Sequence, residues 1–163
     1  MDSEECKIIF HFKNGLRDRI NIEKLNGRGG GYFETAIDTK IENFHLEVAF
    51  AFKYYSVDKS FLKSYVNDHY TVENGTHVDG LLKGVTYGVM KYFQKYDLVD
   101  KYKISEKGIR EHLISAIHIK LDDPMFSGCV KNKLANPDII KPIAKRISEI
   151  LFDKMENDKE STE

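Results

Sequence analysis

Two lysines, Lys131 and Lys133, stand two residues apart in a stretch from Pro124 to Asn136 that holds few apolar side chains. An ammonium on a loop held between rigid elements can reach out and touch an anion. Taken alone, the stretch reads first as a solvated surface loop whose lysines serve solubility, and anion contact is the sharper alternative. Cys129 lies beside Lys131 and could act as a thiolate, yet no candidate base is near it in sequence. Asp122 and Asp123 could bind a cation, but adjacent carboxylates before Pro124 are more often turn residues. The six histidines are scattered, and His45, His77 and His118 read as structural. No serine or cysteine occupies a nucleophile elbow, and no metal-ligand set is present. Spacing alone therefore shows a basic loop and no complete active site.

The loop must be held by what flanks it. Leu113 to Leu121 is isoleucine-rich and apolar on both faces for part of its length, which predicts a central strand. After the loop, Ile140, Ile143, Ile147, Ile150, Leu151 and Met155 trace a helical stripe, with Pro142 tolerable only near the first turn. Upstream, strands are expected at Cys6 to Phe12, Tyr32 to Ile37 and Phe61 to Asp68. The clearest period-2 signal is Phe44, Leu46, Val48, Phe50 and Phe52. The last three strands are expected to form a meander, Phe61 to Asp68 pairing with Phe44 to Phe52 across a turn at Tyr54 to Ser60. A modest helix is expected over Leu16 to Leu25, and Asn26 to Gly31 is a flexible connector.

Thr76-His77-Val78-Asp79 has the spacing of a capping box opening a helix that runs to about Tyr96. Leu81, Val85, Val89 and Phe93 draw its apolar stripe. Gly80, Gly84 and Gly88 draw a second, bare one, which predicts close approach of backbone to the sheet or to another helix. Ser105 is expected to cap a short helix before the central strand. The expected fold is α+β, a mixed sheet of four to five strands with helices on one face.

With 163 residues, 41% hydrophobic and 31% charged, the chain is long enough for one domain with a real core. Residues 1–158 are read as that domain and 159–163 as a disordered tail. A net charge of −1 gives no global argument for nucleic acid or membrane. Cys6 and Cys129 form no CxxC pair, the start is acidic, and no apolar run approaches the ~20 residues of a membrane span. A cytoplasmic setting is expected.

Three segments, read together, resemble the transducer domain of the B subunits of bacterial type IIA DNA topoisomerases, gyrase and topoisomerase IV. Ser64-Tyr65-Val66-Asn67-Asp68, then Glu73-Asn74-Gly75-Thr76-His77-Val78-Asp79-Gly80, is similar to S-F-V-N-N followed by G-G-T-H-x-x-G-F. Gly108-Ile109-Arg110-Glu111-His112-Leu113, leading into Ile114 to Lys120, resembles D-x-R-E-G-L before A-V-I-S-V-K. The lysine stretch is similar to P-x-F-x-G-Q-T-K-x-K-L-x-N, with Gly128, Lys131, Lys133 and Asn136 matching and Cys129 and Val130 standing where the pattern has Gln and Thr.

The resemblance implies a ribosomal-protein-like second-domain fold with a left-handed β-α-β crossover. It implies a fragment of an ATP-hydrolysing isomerase that couples a neighbouring GHKL ATPase domain to DNA gate movement and is followed by a TOPRIM domain. Lys131 would contact the ATP γ-phosphate, with Lys133 in support. ATP and Mg²⁺ would be held mainly outside this chain, and the isolated domain would have no turnover. Implied partners are the GHKL and TOPRIM domains of the same subunit, the topoisomerase A subunit, duplex DNA and a second copy of the subunit. Thr76, His77, Gly80, Arg110 and Glu111 would be structural motif positions. Leu82 and Tyr87 replace arginines that would face DNA, leaving Lys83 and Lys91 as DNA contacts. The alternative is a non-catalytic interaction module that keeps the fold without nucleotide sensing, consistent with Cys129 and Val130.

Overall fold

The computed structural model describes residues 15–18, 20, 33–53, 61–67 and 69–158. The expected strand at Cys6 to Phe12, the connector at Asn26 to Gly31, the turn at Tyr54 to Ser60 and the tail at 159–163 lie outside the described residues. Strands β1 (Phe33–Ile41), β2 (Phe44–Phe52), β3 (Leu62–Val66), β4 (His69–Tyr70) and β5 (Leu113–Leu121) form one sheet in the order β1-β2-β5-β3-β4. Between β4 and β5 run helices α1 (Thr76–Lys95), α2 (Val99–Tyr102) and α3 (Glu106–Glu111). After β5 and the lysine loop come a 3-10 turn (Pro137–Ile139) and helix α4 (Ile140–Asn157).

β5 takes the central place that its two apolar faces demand. It pairs antiparallel with β2 over all nine positions, from Phe44 opposite Leu121 to Phe52 opposite Leu113. On its other side it runs parallel to β3, with Ser64 opposite Ile117. The expected meander is thus corrected: β5 is inserted between β2 and β3, which do not pair. Ile114, Ile117 and Ile119 are fully buried only in that central position, whereas a β2–β3 pair would push β5 outward. β1 and β2 form a hairpin through Glu42 and Asn43, Glu42 taking a positive φ of 47°.

Helices α1 and α4 cover one face of the sheet. Phe44, Leu46, Val48 and Phe50 pack there with Leu81, Val85, Ile143, Ile147 and Leu151. The period-2 pattern of β2 therefore marks the true core face. Its other residues are not all solvated: Ala49 and Ala51, with Ile114 and Ala116, pack against Ile20 and Leu16 of the helical segment near the N-terminal end. Leu16 N–H donates to Glu47 Oε1 at 3.0 Å, and Arg17 pairs with Glu34 at 2.7 Å.

The glycine stripe finds its reason in α4. A Cβ at Gly84 would lie 2.8 Å from both the Ala144 carbonyl oxygen and Ile147 Cβ, and one at Gly80 would lie 2.9 Å from Ile143 Cβ. The expected capping box does not form. Gly75, at φ 135°, is the N-cap, and Thr76 is the first helical residue with its hydroxyl buried. Ser105 does cap α3, its Oγ accepting from Gly108 N–H at 3.1 Å.

Candidate functional site

The stretch after β5 is a pinned finger. Ser127 N–H donates to the Lys133 carbonyl at 2.9 Å and Ala135 N–H to the Met125 carbonyl at 2.8 Å, making a short antiparallel ladder. Asn136 closes the neck: its side-chain oxygen accepts Met125 N–H at 2.7 Å, and its amide donates to the Asp123 carbonyl at 3.2 Å. Asn136 is buried, so it holds these bonds away from competing water.

The finger's inner strand docks on the residues that open α1. Leu134 N–H donates to the Asn74 carbonyl at 3.1 Å, Thr76 N–H to the Leu134 carbonyl at 3.0 Å, and Glu73 N–H to the Asn132 carbonyl at 3.0 Å. Leu134 itself is fully buried. Gly75 makes this approach possible, because a Cβ there would lie 2.3 Å from the Leu134 carbonyl oxygen.

Above that base the finger turns outward. Gly128 has φ 86° with nothing near its Cβ position, and Asn132 N–H closes a three-residue turn onto the Val130 carbonyl at 2.8 Å. Lys131 is the central residue of that turn. Cys129, Val130, Lys131 and Lys133 are all exposed, Val130 by 63%. Neither lysine forms an ion pair among the described residues. The result is a tight turn bearing an exposed ammonium on a base locked at three backbone positions.

His77 lies beneath the docking strand, in the first turn of α1, with no exposed surface. Burial, and secondarily the charge of His118, pushes its pKa down from 6.5 to about 4. Between those values the unfolded chain takes up a proton that the folded chain refuses, so stability falls as pH drops through that window. We expect a loss of up to roughly 3 kcal/mol from this group between pH 7 and pH 4. Urea unfolding midpoints measured across that range should flatten in His77→Gln; an unaltered slope would show that other groups carry it.

Residues 15–163 match the family model described as DNA gyrase B. The chain belongs to the DNA gyrase B family. It is 30% identical over 156 residues to the DNA gyrase B protein of Cytophaga hutchinsonii, covering 94% of this chain and 32% of that one. It is 30% identical over 154 residues to the gyrase B protein of Halalkalibacterium halodurans, covering 93% and 23%. Among solved structures it is similar to the topoisomerase IV ATP-binding domain of Francisella tularensis in complex with a small-molecule inhibitor. That likeness has a TM-score of 0.76 at 27% identity, covering 93% of this chain and 40% of the other. The 43K ATPase domain of Thermus thermophilus gyrase B shares the fold, with a TM-score of 0.72 at 21% identity over 86% of this chain and 38% of the other. The chain thus spans a third or less of the length of the Cytophaga and Halalkalibacterium gyrase B proteins.

In this gyrase B-family domain the other singled-out residues fall into separate groups. Thr76, His77 and Gly80 lie at the start of α1, the first two at the finger's base and Gly80 against Ile143. Arg110 and Glu111 are exposed on α3, where Glu111 pairs with Lys107 at 3.6 Å. They sit at the opposite end of β5 from the finger, about 26 Å away along the strand. Lys83 is exposed on α1, and Lys91 lies over the Phe152 ring at 4.4 Å, so neither joins the finger. No helix among the described residues is long and apolar enough to cross a membrane.

The sequence pattern left Ser64, Thr71 and Asn74 without a role. Ser64 Oγ lies 2.6 Å from Thr71 Oγ1 and 3.0 Å from Asn74 Oδ1, and His77 Nε2 lies 3.3 Å from Thr71 Oγ1. Two of the three, Ser64 and Thr71, are fully buried. Apart from the family-like segments that contain Ser64 and Asn74, the signal in the sequence is a polar residue on the apolar side of a strand, Ser64 beside Val66.

Proposed function

We propose that this domain is the transducer of an ATP-dependent type IIA topoisomerase B subunit, and that Lys131 reads the γ-phosphate of a nucleotide bound in a neighbouring GHKL domain. The observation that carries the reading is the exposed Lys131 ammonium, without an ion pair among the described residues, on a turn whose base is fixed to the start of α1. A fixed base matters because a rigidly presented charge loses little entropy when it meets its anion. Lys133, also exposed, adds positive charge two residues on.

The chemistry supplied by Lys131 is one charge-assisted hydrogen bond to a phosphate oxygen, worth about 1.5–3 kcal/mol. It exists only while the γ-phosphoryl group is attached. A ligand shifts an equilibrium only by its differential affinity for the two states, so this bond can bias a domain rearrangement before hydrolysis and release it afterwards. Because the finger leaves the C-terminal end of central β5 and returns into α4, a displacement at its tip has two stiff elements to act on. To this reading of the whole enzyme belong ATP with Mg²⁺, duplex DNA, the topoisomerase A subunit, a second copy of this protein and a cytoplasmic setting.

The test is ATP turnover by the full-length protein carrying Lys131→Ala. Turnover is expected to fall about 10- to 150-fold, the equivalent of that bond, with the thermal midpoint unmoved because the side chain is exposed. Unchanged turnover removes Lys131 from the site and favours an interaction module in which Cys129 and Val130 present a nucleotide-insensitive tip.

A further inference from the structure

His77 is the one fully buried ionisable side chain among the described residues, and coupling through Lys131 makes no use of it. Thr71 Oγ1 donates to the Ser64 carbonyl at 2.9 Å, and the single Ser64 hydroxyl proton has three acceptors within reach: Thr71 Oγ1 at 2.6 Å, and the Thr71 carbonyl and Asn74 Oδ1, each at 3.0 Å. With its own proton spent on Ser64, Thr71 Oγ1 is left as an acceptor for His77 Nε2. In that assignment His77 carries its proton on Nε2, and Nδ1 is a buried acceptor with no partner among the described residues.

The knot has a specific load. Thr71 also receives Asn74 N–H on its carbonyl at 3.0 Å, holding Asn74 at a positive φ of 62°. A left-handed asparagine followed by Gly75 at φ 135° turns the Asn74 carbonyl toward Leu134 and the Thr76 N–H toward the Leu134 carbonyl. Those two bonds are the base of the finger. His77, Thr71 and Ser64 sit on α1, the β4–α1 turn and β3, so together they fix where the finger leaves the body of the domain.

We propose that His77 is a positioning residue for the Lys131 finger, acting through Thr71 and Asn74 on the backbone to which Leu134 docks. This rests on the reading of Lys131 given above only for its effect on turnover; the anchoring itself does not depend on what the finger touches. His77→Leu removes the donor to Thr71, whereas His77→Gln keeps an N–H near the Nε2 position. Thr71→Val removes the acceptor in an isosteric frame and serves if His77→Leu fails to fold.

The experiment has two arms on the full-length protein. In amide hydrogen exchange, His77→Leu or Thr71→Val should raise exchange at Thr76 and Leu134 roughly tenfold, the loss of one ordinary hydrogen bond. The β2 and β5 amides should stay at their original rates, and His77→Gln should restore most of the protection. An equal rise across finger and sheet, or none at the finger, overturns the proposal. In ATP turnover, the same variants should lower the rate roughly tenfold in the native background and leave it unchanged when Lys131→Ala is already present. Equal falls in both backgrounds would mark a general structural role and overturn it. If exchange behaves as expected while Lys131→Ala itself leaves turnover intact, the anchoring stands and the phosphate reading of Lys131 fails.

Discussion

Gly84→Leu is expected to destabilise the domain by roughly 3 kcal/mol or more, the upper range for overpacking a filled core. For a domain of this size that lowers the thermal midpoint by about 6–12 °C. Gly84 is the middle of three glycines along the α1 face pressed on α4, and a Cβ there meets the Ala144 carbonyl oxygen at 2.8 Å and Ala144 Cα at 3.0 Å. Those are backbone atoms of a helix whose Ile143, Ile147 and Leu151 are buried in the core, so they move only if α4 moves. The smaller change Gly84→Ala weighs two effects directly. Alanine gains about 1 kcal/mol of helix propensity, while the contact forces the helices apart at a cost of about 1–3 kcal/mol. Destabilisation should win. Circular dichroism melts decide it, and a raised midpoint in Gly84→Ala would show that the helices have slack.

Gly75→Ala is expected to remove the finger from its base. At φ 135° and ψ −165° the backbone lies in a region essentially reserved for glycine, costing another residue about 1–3 kcal/mol. The added Cβ would also stand 2.3 Å from the Leu134 carbonyl oxygen and 2.5 Å from its nitrogen. No rotamer change relieves a clash between Cβ and backbone. The chain must give up either the turn into α1 or the two bonds joining Asn74 and Thr76 to Leu134. Loss of the second is the smaller rearrangement, because it frees a loop and leaves β2, β5 and the α1–α4 contact intact. On the coupling proposed for Lys131, ATP turnover in the full-length protein should fall at least as far as for Lys131→Ala, with the sheet's circular dichroism retained. Native turnover in Gly75→Ala would mean that the docked base is unnecessary for coupling.

Much of the architecture could be read from local pattern. The alternation from Phe44 to Phe52, the double-faced Leu113 to Leu121 and the stripe from Ile143 to Met155 each announced an element and its buried face. Ser105 announced a cap, and the glycine stripe announced a close approach. What the pattern could not supply was the identity of each partner. A strand's side chains say which face is apolar and nothing about which strand lies beside it, so the insertion of β5 between β2 and β3 was invisible. The same limit explains Ala49 and Ala51, whose cover comes from Leu16 and Ile20. Thr76 misled because its spacing to Asp79 fits a capping box, while Gly75 makes the turn and leaves the threonine one position inside the helix.

The site divides along the same line. Lys131 and Lys133 could be placed on a loop from their neighbours alone, and family resemblance singled out Thr76, His77 and Asn136. Their geometry depends on contacts that local pattern does not specify: Asn136 closing on Asp123 and Met125, Leu134 on Asn74, and His77 on Thr71. Each involves a buried polar group whose partner lies on another segment. Resemblance could say that such residues recur in related chains; only their arrangement says that they form one support under one exposed ammonium.

The most direct measurement is a comparison of binding by the full-length protein to a non-hydrolysable ATP analogue and to ADP, with and without Lys131→Ala. If the ammonium senses the terminal phosphoryl group, the substitution weakens the analogue about 10- to 150-fold and leaves ADP affinity unchanged, collapsing the preference between them. A preference that survives the substitution intact would contradict the account, because the exposed lysine would then make no contact that distinguishes the two nucleotides.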